Sequence, residues 1–423
     1  MNSLLTTLTQ PDVRGRKRGI YSVCSAHPWV IEAAMAQAEA DDSALLIEAT
    51  CNQVNQMGGY TGMQPADFVQ FVRGIAEKVG FEVDRLVFGG DHLGPNPWRH
   101  LPAHEAMRHA VDLLQAYAQA GFQKLHLDAS MRCADDAAAL SDESIAQRAA
   151  RLCQAAEAVA PGAAVYVIGT EVPVPGGAIE DLTQLQVTAV AAVEHTLAAH
   201  QAAFEVLGLH DAWARVIALV VQPGVEFDHT HVIDYRPEQA EALARFQQNQ
   251  SKLVFEAHST DYQGAVALAR LVDDGVAILK VGPGLTFALR EALYALELVE
   301  RELLEPSECS RLRATVEAAM CSAPSHWQGY YHGTAAHQAQ LRVFSYSDRV
   351  RYYWGLPAIA QATERLITNL EAVKLSENLI SQYLPQQYAA YRQGRIGLRV
   401  KDLLLDKVRD ALRPYAQACR MGE

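Results

Sequence analysis

A chain of 423 residues, half of them apolar, is long enough for one large domain with an appendage or for two domains, and it can bury a sizeable core. Its 36 lysines and arginines stand against 49 aspartates and glutamates, and the net charge of −13 argues against nucleic acid or an anionic membrane as the main partner. Cys24, Cys51, Cys133, Cys153, Cys309, Cys321 and Cys419 are odd in number and without CxxC pairing. That usage suits reduced thiols, and with no signal-like N-terminus and no apolar run of membrane length it predicts a soluble cytoplasmic protein.

Along the chain, short β-branched runs alternate with alanine-rich segments of helical period, the pattern of parallel βα units. The runs are GIYSVCS (19–25), ALLIEAT (44–50), RLVFGGD (85–91), KLHLDAS (124–130), AVYVIGTE (164–171), RVIALVVQ (215–222), KLVFEAH (252–258) and AILKVG (277–282). Between them, Pro65 and Gly80 mark the start and stop of one helix, and Ala106, Ala110, Leu113, Leu114 and Tyr117 form the apolar stripe of another that ends at Gly121. Eight units predict an α/β fold, a (β/α)8 TIM barrel. An open doubly wound sheet is the rival, weakened because no G-x-G-x-x-G turn follows the first strand. The expected division is an N-terminal segment over 1–18, the barrel over 19–300 and a helical C-terminal extension over 301–423. In that extension Trp327, Tyr330, Tyr331, Tyr346, Tyr352, Tyr353 and Trp354 crowd together, either as an interface or as a cap packed on the barrel.

Polar residues gather at the C-terminal ends of the strands, where a barrel presents its functional face. They are Ser25 and His27; Glu48 and Asn52; Asp91, His92 and Asn96; His126, Asp128 and Ser130; Glu171; Gln222 and Glu226; Glu256, His258, Ser259 and Asp261; and Lys280. Imidazoles flanked by carboxylates suit a divalent metal of the zinc class, and His92, Glu171 and His258 are the expected ligands. Such a metal polarises a carbonyl, with Asp91 placed to move a proton and Glu48 and Asp128 as further catalytic candidates. The bland reading of Asp91-His92 is a helix cap beside a core histidine.

The turn after the last strand, with Gly282 and Gly284 before a helix, offers free N–H groups to a phosphate, and Ser259, Thr260 and Asp261, in the turn after strand 7, are expected beside it in the barrel. Asn52, Gln222 and Lys280 complete the expected substrate contacts; Lys280 is read as an anion partner more readily than as a Schiff-base lysine. The loop VPVPGG, 172–177, is either a lid hinge or a stiff connection, and His229 and His231 are read as part of a solvated loop.

The stretches YSVCSAHPWVIEAA, LIEATCNQVNQMGGYTGMQPADF, GGDHLGPNPW, YVIGTEVPVPGG, VVQPGVEFDHTHVIDY, FEAHSTDYQ, ILKVGPGLTFALREAL and FSYSDRVRYYW resemble the Z subunit of class II D-tagatose-1,6-bisphosphate aldolase, the GatZ/KbaZ family. The C-terminal stretches resemble the KbaZ branch, tied to N-acetylgalactosamine use, more than the GatZ branch, tied to galactitol. The resemblance implies a TIM barrel that supports the activity and stability of a separate catalytic Y chain without being the main catalyst. Against the catalytic class II chains, Asp91 matches the proton-transferring acid, His92 the first metal ligand and His258 the strand 7 ligand. Gln222 departs from the strand 6 histidine. Older descriptions of such chains as a tagatose-6-phosphate kinase find no G-x-x-x-x-G-K-[ST] loop here. Two main readings follow: a helper subunit, or a metal-dependent ketose or ketose-phosphate aldolase or 4-epimerase in its own right. A purely structural protein is the weakest, since clustering this many carboxylates and histidines costs free energy unless something satisfies them.

Overall fold

The computed structural model describes residues 3–10, 15–170, 185–250 and 252–419. Eight parallel strands close into a barrel: β1 Ile20–Val23, β2 Leu45–Thr50, β3 Leu86–Leu93, β4 Lys124–Leu127, β5 Val165–Ile168, β6 Val216–Val220, β7 Val254–Ala257 and β8 Val276–Val281. Each pairs with its neighbours in sequence, and β8 returns to β1 through Ile20↔Ile278 and Ser22↔Lys280. All eight expected runs form strands, and the helices between them form the outer ring. Pro65–Val79 starts on its proline and stops at Gly80, in left-handed backbone at φ +77°; Ala103–Gln119 buries the expected stripe.

Alternation along the strands divides the interior into layers. Ile20, Leu46, Val87, Val165, Val254 and Ile278 form an apolar floor, and Leu5 and Leu8 of the N-terminal segment close it from below. One step higher, Glu48, Lys124, Glu256 and Lys280 replace aliphatic side chains and are buried. Gly89, opposite Glu48 in the register, makes room for this layer, because a Cβ there would lie 2.6 Å from Glu48 Cγ. A barrel interior is normally filled with branched aliphatics, so an ionic layer marks a site.

The chain after residue 303 is helical and shares the barrel's apolar core. Its last helix, Val400–Cys419, packs on Pro28–Ala40, Ala265–Asp273 and Pro283–Leu303. Tyr415 donates its hydroxyl to the Thr260 carbonyl at 2.6 Å, tying that helix to the end of β7. Of the crowded aromatics, Trp327, Tyr331, Tyr353 and Trp354 are buried in the core, and Tyr346 packs on Tyr262 with ring centroids 4.4 Å apart. They are a cap over the barrel, leaving little of the cluster for an exposed interface. The expectation of a solvated loop fails for His229, which is buried against Ser345 Oγ at 3.1 Å and the Tyr330 carbonyl at 3.0 Å; His231 is exposed. The hairpin carrying His229 is held by the cap, which its sequence context did not reveal.

Candidate active site at the barrel mouth

The ionic layer is the base of the site. Lys124 Nζ lies 2.7 Å from both Glu48 Oε1 and Glu256 Oε2, with all three side chains fully buried. Lys280 reaches Glu48, Asp91 Oδ1 at 2.5 Å and Glu256 Oε1 at 3.7 Å. Burial works against charge on Lys280, but Asp91 and its neighbours outweigh it and hold the ammonium well above the usual lysine value. A lysine so firmly protonated is no Schiff-base nucleophile, and its partners are the chain's own carboxylates instead of a ligand anion.

Above this layer stand three histidines. His92, His126 and His258 have ring centroids 4.7 to 5.3 Å apart, although they come from three strands. Alternation alone would send the neighbours Asp91 and His92 to opposite faces. The pairing of β3 with β4 is irregular between Gly90 and Leu93, and His92 adopts φ +48°, so both side chains reach the mouth. Gly94 follows because a Cβ there would sit 1.6 Å from the Asp128 carbonyl oxygen.

Each histidine has a carboxylate. His92 Nδ1 pairs with Asp128 Oδ2 at 2.9 Å, and Asp128 Oδ1 accepts from the Ser130 hydroxyl at 2.6 Å. His126 Nδ1 lies 3.0 Å from Asp91 Oδ1, and its buried Nε2 has no hydrogen-bond partner. His258 Nε2 lies 2.9 Å from Glu256 Oε1, and burial pushes its pKa down to about 3, which keeps the ring neutral. Burial also opposes charge on Asp91, yet His92, Lys280 and His126 outweigh it and hold the carboxyl well below the usual range. So stabilised a carboxylate is a weak base. His92 is shifted the other way: Asp91 and Asp128 overcome its burial and raise its pKa.

Asp91, His126, Glu256 and His258 offer four ligand atoms that all lie within 4.8 Å of one another. This group differs from the expected set. His258 belongs to both, His92 is engaged with Asp128, and Glu171 lies outside the described residues, as does the 172–177 loop. His126 and Glu256 were legible as strand-end residues, but nothing in the spacing singled them out.

The expected phosphate loop is arranged otherwise. Asp261 Oδ1 accepts from the Gly282 N–H at 2.9 Å and from the Gly284 N–H at 2.7 Å, so a side chain occupies the donors expected to meet a ligand. The Thr260 hydroxyl donates to the Lys280 carbonyl at 2.7 Å and is structural. Gln222 also turns inward, its Oε1 accepting from the N–H groups of Gly224 and Val225, each at 2.9 Å. Asn52, Ser259, Asp261, Lys280 and Gly282 do line the mouth.

That mouth is a cavity of about 80 Å³, too small for a sugar phosphate. It adjoins a second cavity of about 810 Å³, and Cys24, Gln53, Tyr60, Gly282, Arg351 and Tyr352 line both. Arg351 and Tyr352 arrive from the cap, far beyond the last strand, so no strand-end reasoning finds them. Lys124 was more accessible, since it begins KLHLDAS and shares a face with His126.

Beside the mouth, Glu226 accepts the Phe227 N–H at 3.0 Å, and burial pushes its carboxyl up to about 7. The native chain thus holds this proton to higher pH than the unfolded chain does, and stability falls as pH rises from about 4 to about 7. Glu226→Gln is expected to melt at a higher temperature than the parent at pH 8 and at the same temperature near pH 4. Parallel melting curves across that range would show that Glu226 carries no such burden.

A solved structure from Sinorhizobium meliloti 1021, of a probable tagatose 6 phosphate kinase, is similar at 51% identity and TM-score 0.89, covering 95% of this chain and 100% of that one. Weaker likenesses are the fructose-bisphosphate aldolase of Campylobacter jejuni (14% identity, TM-score 0.44, covering 88% of this chain and 92% of that one) and the fructuronate-tagaturonate epimerase UxaE of Cohnella laeviribosi (14%, 0.47, covering 97% and 84%). Among the described residues no helix is long and apolar enough to cross a membrane. A family model matches residues 5–420, nearly the whole barrel and cap described above, and the chain belongs to the D-tagatose-1,6-bisphosphate aldolase subunit GatZ/KbaZ-like family.

Proposed function

We propose that this chain has its own active site for aldol chemistry at C3–C4 of a tagatose phosphate, in the cytoplasmic degradation of galactitol or N-acetylgalactosamine. The observation that carries the reading is a His92–Asp128 pair set on left-handed backbone beside a four-residue donor group, two of whose members, Asp91 and His258, line the mouth with His92. That donor group fits a divalent cation of the zinc class. His126 presents a buried, unpartnered Nε2, His258 is neutral, and Asp91 and Glu256 supply anionic oxygens. When bound, such a cation supplies Lewis acidity at the ketose carbonyl.

The protein's part is proton transfer and orientation. His92, fixed by Asp128, takes the proton of the C4 hydroxyl as the C3–C4 bond breaks and the electron pair moves toward the C2 carbonyl oxygen. When the aldehyde half has turned, re-forming the C3–C4 bond on its other face and returning that proton to the C4 oxygen gives the C4 epimer; delivering the proton to C3 of the enediolate instead, with release of both halves, gives cleavage. Lys124 and Lys280 pair with Glu48, Glu256 and Asp91 beneath the reacting atoms and fix the positions of those carboxylates. Phosphoryl transfer is disfavoured by the lack of a G-x-x-x-x-G-K-[ST] loop.

A second reading is favoured by membership of a family of aldolase subunits: the chain supports a separate catalytic Y chain. The test is the purified chain alone, stripped with chelator, on tagatose 6-phosphate and tagatose 1,6-bisphosphate, with zinc or manganese restored. Cation-dependent epimer or triose phosphate that disappears in His92→Ala is the expected result. If nothing turns over, while parent and His92→Ala raise the activity of a co-expressed Y chain equally, the helper reading replaces this one.

A further inference from the structure

We propose that the mouth accepts a ligand with a single phosphate, which Arg351 holds, and that Asp261 excludes a second phosphate from the β8 loop. The inference rests on the ketose-phosphate reading above and names the specificity of that site. Barrels commonly bind phosphate after strands 7 and 8, where N–H groups at a helix start converge on the anion. Here that place already holds an anion. Asp261 Oδ1 takes the N–H groups of both Gly282 and Gly284, and a Cβ added to Gly284 would meet the same oxygen at 3.0 Å. The neighbouring Thr260 hydroxyl is consumed by the Lys280 carbonyl. A phosphate in this loop would find its donors taken and a carboxylate at contact distance, whereas an uncharged hydroxymethyl end can donate a hydrogen bond to the same wall.

The cationic group sits elsewhere. Arg351 lines both the small mouth and the larger adjoining cavity. Its guanidinium is held by the Ser347 carbonyl, by the Asp348 carbonyl at 3.2 Å and by the Tyr352 hydroxyl at 3.0 Å; Asp261 and Asp348 act on it electrostatically, but among the described residues no carboxylate forms an ion pair with it. A planar guanidinium without a carboxylate partner, at the wall of a cavity, is suited to phosphate. The segment that presents it is braced, with Asp348 paired to the buried Arg290 at 2.8 Å and the Tyr262 hydroxyl donating to the Tyr346 carbonyl at 2.6 Å. Arg351 and Asp261 both line the small mouth, and of the two only Arg351 also lines the larger cavity, so a ligand held by Arg351 has room for its charged end there while its other end meets Asp261 at the mouth.

Calorimetric binding of tagatose 6-phosphate and tagatose 1,6-bisphosphate to the full-length His92→Ala chain tests this without turnover. The monophosphate is expected to bind roughly tenfold more tightly, Arg351→Met to remove most of that affinity, and Asp261→Asn to narrow the ratio by strengthening the bisphosphate. Asparagine keeps an oxygen for the two glycine N–H groups, so the loop stays capped. Inorganic phosphate gives a reading independent of sugar: the rise in melting temperature it causes should vanish in Arg351→Met and grow in Asp261→Asn. Equal or tighter binding of the bisphosphate in the parent, or a ratio indifferent to Asp261→Asn, overturns the inference even if the chain proves catalytic. A preserved ratio without turnover would instead sink the catalytic reading alone.

Discussion

Lys124→Met is expected to destabilise the barrel by about 3–5 kcal/mol, the cost of leaving a buried charge uncompensated. The ammonium lies 2.7 Å from one carboxylate of β2 and from one of β7, and none of the three side chains meets solvent. Methionine keeps the length and removes the charge, so packing is nearly conserved and the loss is electrostatic. Lys280 also approaches Glu48 and Glu256, which places the effect toward the lower end of the range. Urea unfolding at neutral pH measures it, with the slope unchanged if only stability has moved. Lys124→Met combined with Glu256→Gln should recover a large part of the deficit, because the second change removes one of the orphaned charges. A single variant as stable as the parent would mean that water, not Lys124, compensates Glu48 and Glu256.

The eight strands were readable because each is a short β-branched run between alanine-rich helices, the composition usual for parallel strands buried on both faces. The site was readable only in outline. Strand ends announced Glu48, Asp91, His92, Asp128 and His258, yet the assignment of partners depends on backbone detail that no spacing contains. The irregularity before Leu93 turns His92 toward Asp128, leaving His126 with the bare nitrogen that suits a cation. Likewise Gly282 and Gly284 look like an empty phosphate loop in the sequence. Only the fold brings Asp261, more than twenty residues earlier, onto both N–H groups. Arg351 was invisible for a third reason, since the cap reaches the mouth through tertiary packing of residues far from any strand.

The division of roles among the histidines gives the largest expected change in activity. On the proposed mechanism His92→Ala should lower turnover by about 10²–10⁴, the range for loss of a positioned proton-transfer group, with metal content unchanged from the parent. In the proposed mechanism Asp128 acts through His92, to which it is joined at 2.9 Å, so Asp128→Asn should lower turnover and shift its pH profile. The pair should be strongly non-additive, with His92→Ala/Asp128→Asn little worse than His92→Ala alone. His126→Ala and His258→Ala should fail differently, because each removes a ligand atom from the donor group, and metal content should fall together with activity. Elemental analysis of the four single variants after dialysis separates the two classes. Cation lost from His92→Ala but kept by His126→Ala would restore the arrangement expected from the strand ends, with His92 as ligand, and would return proton transfer to Asp91.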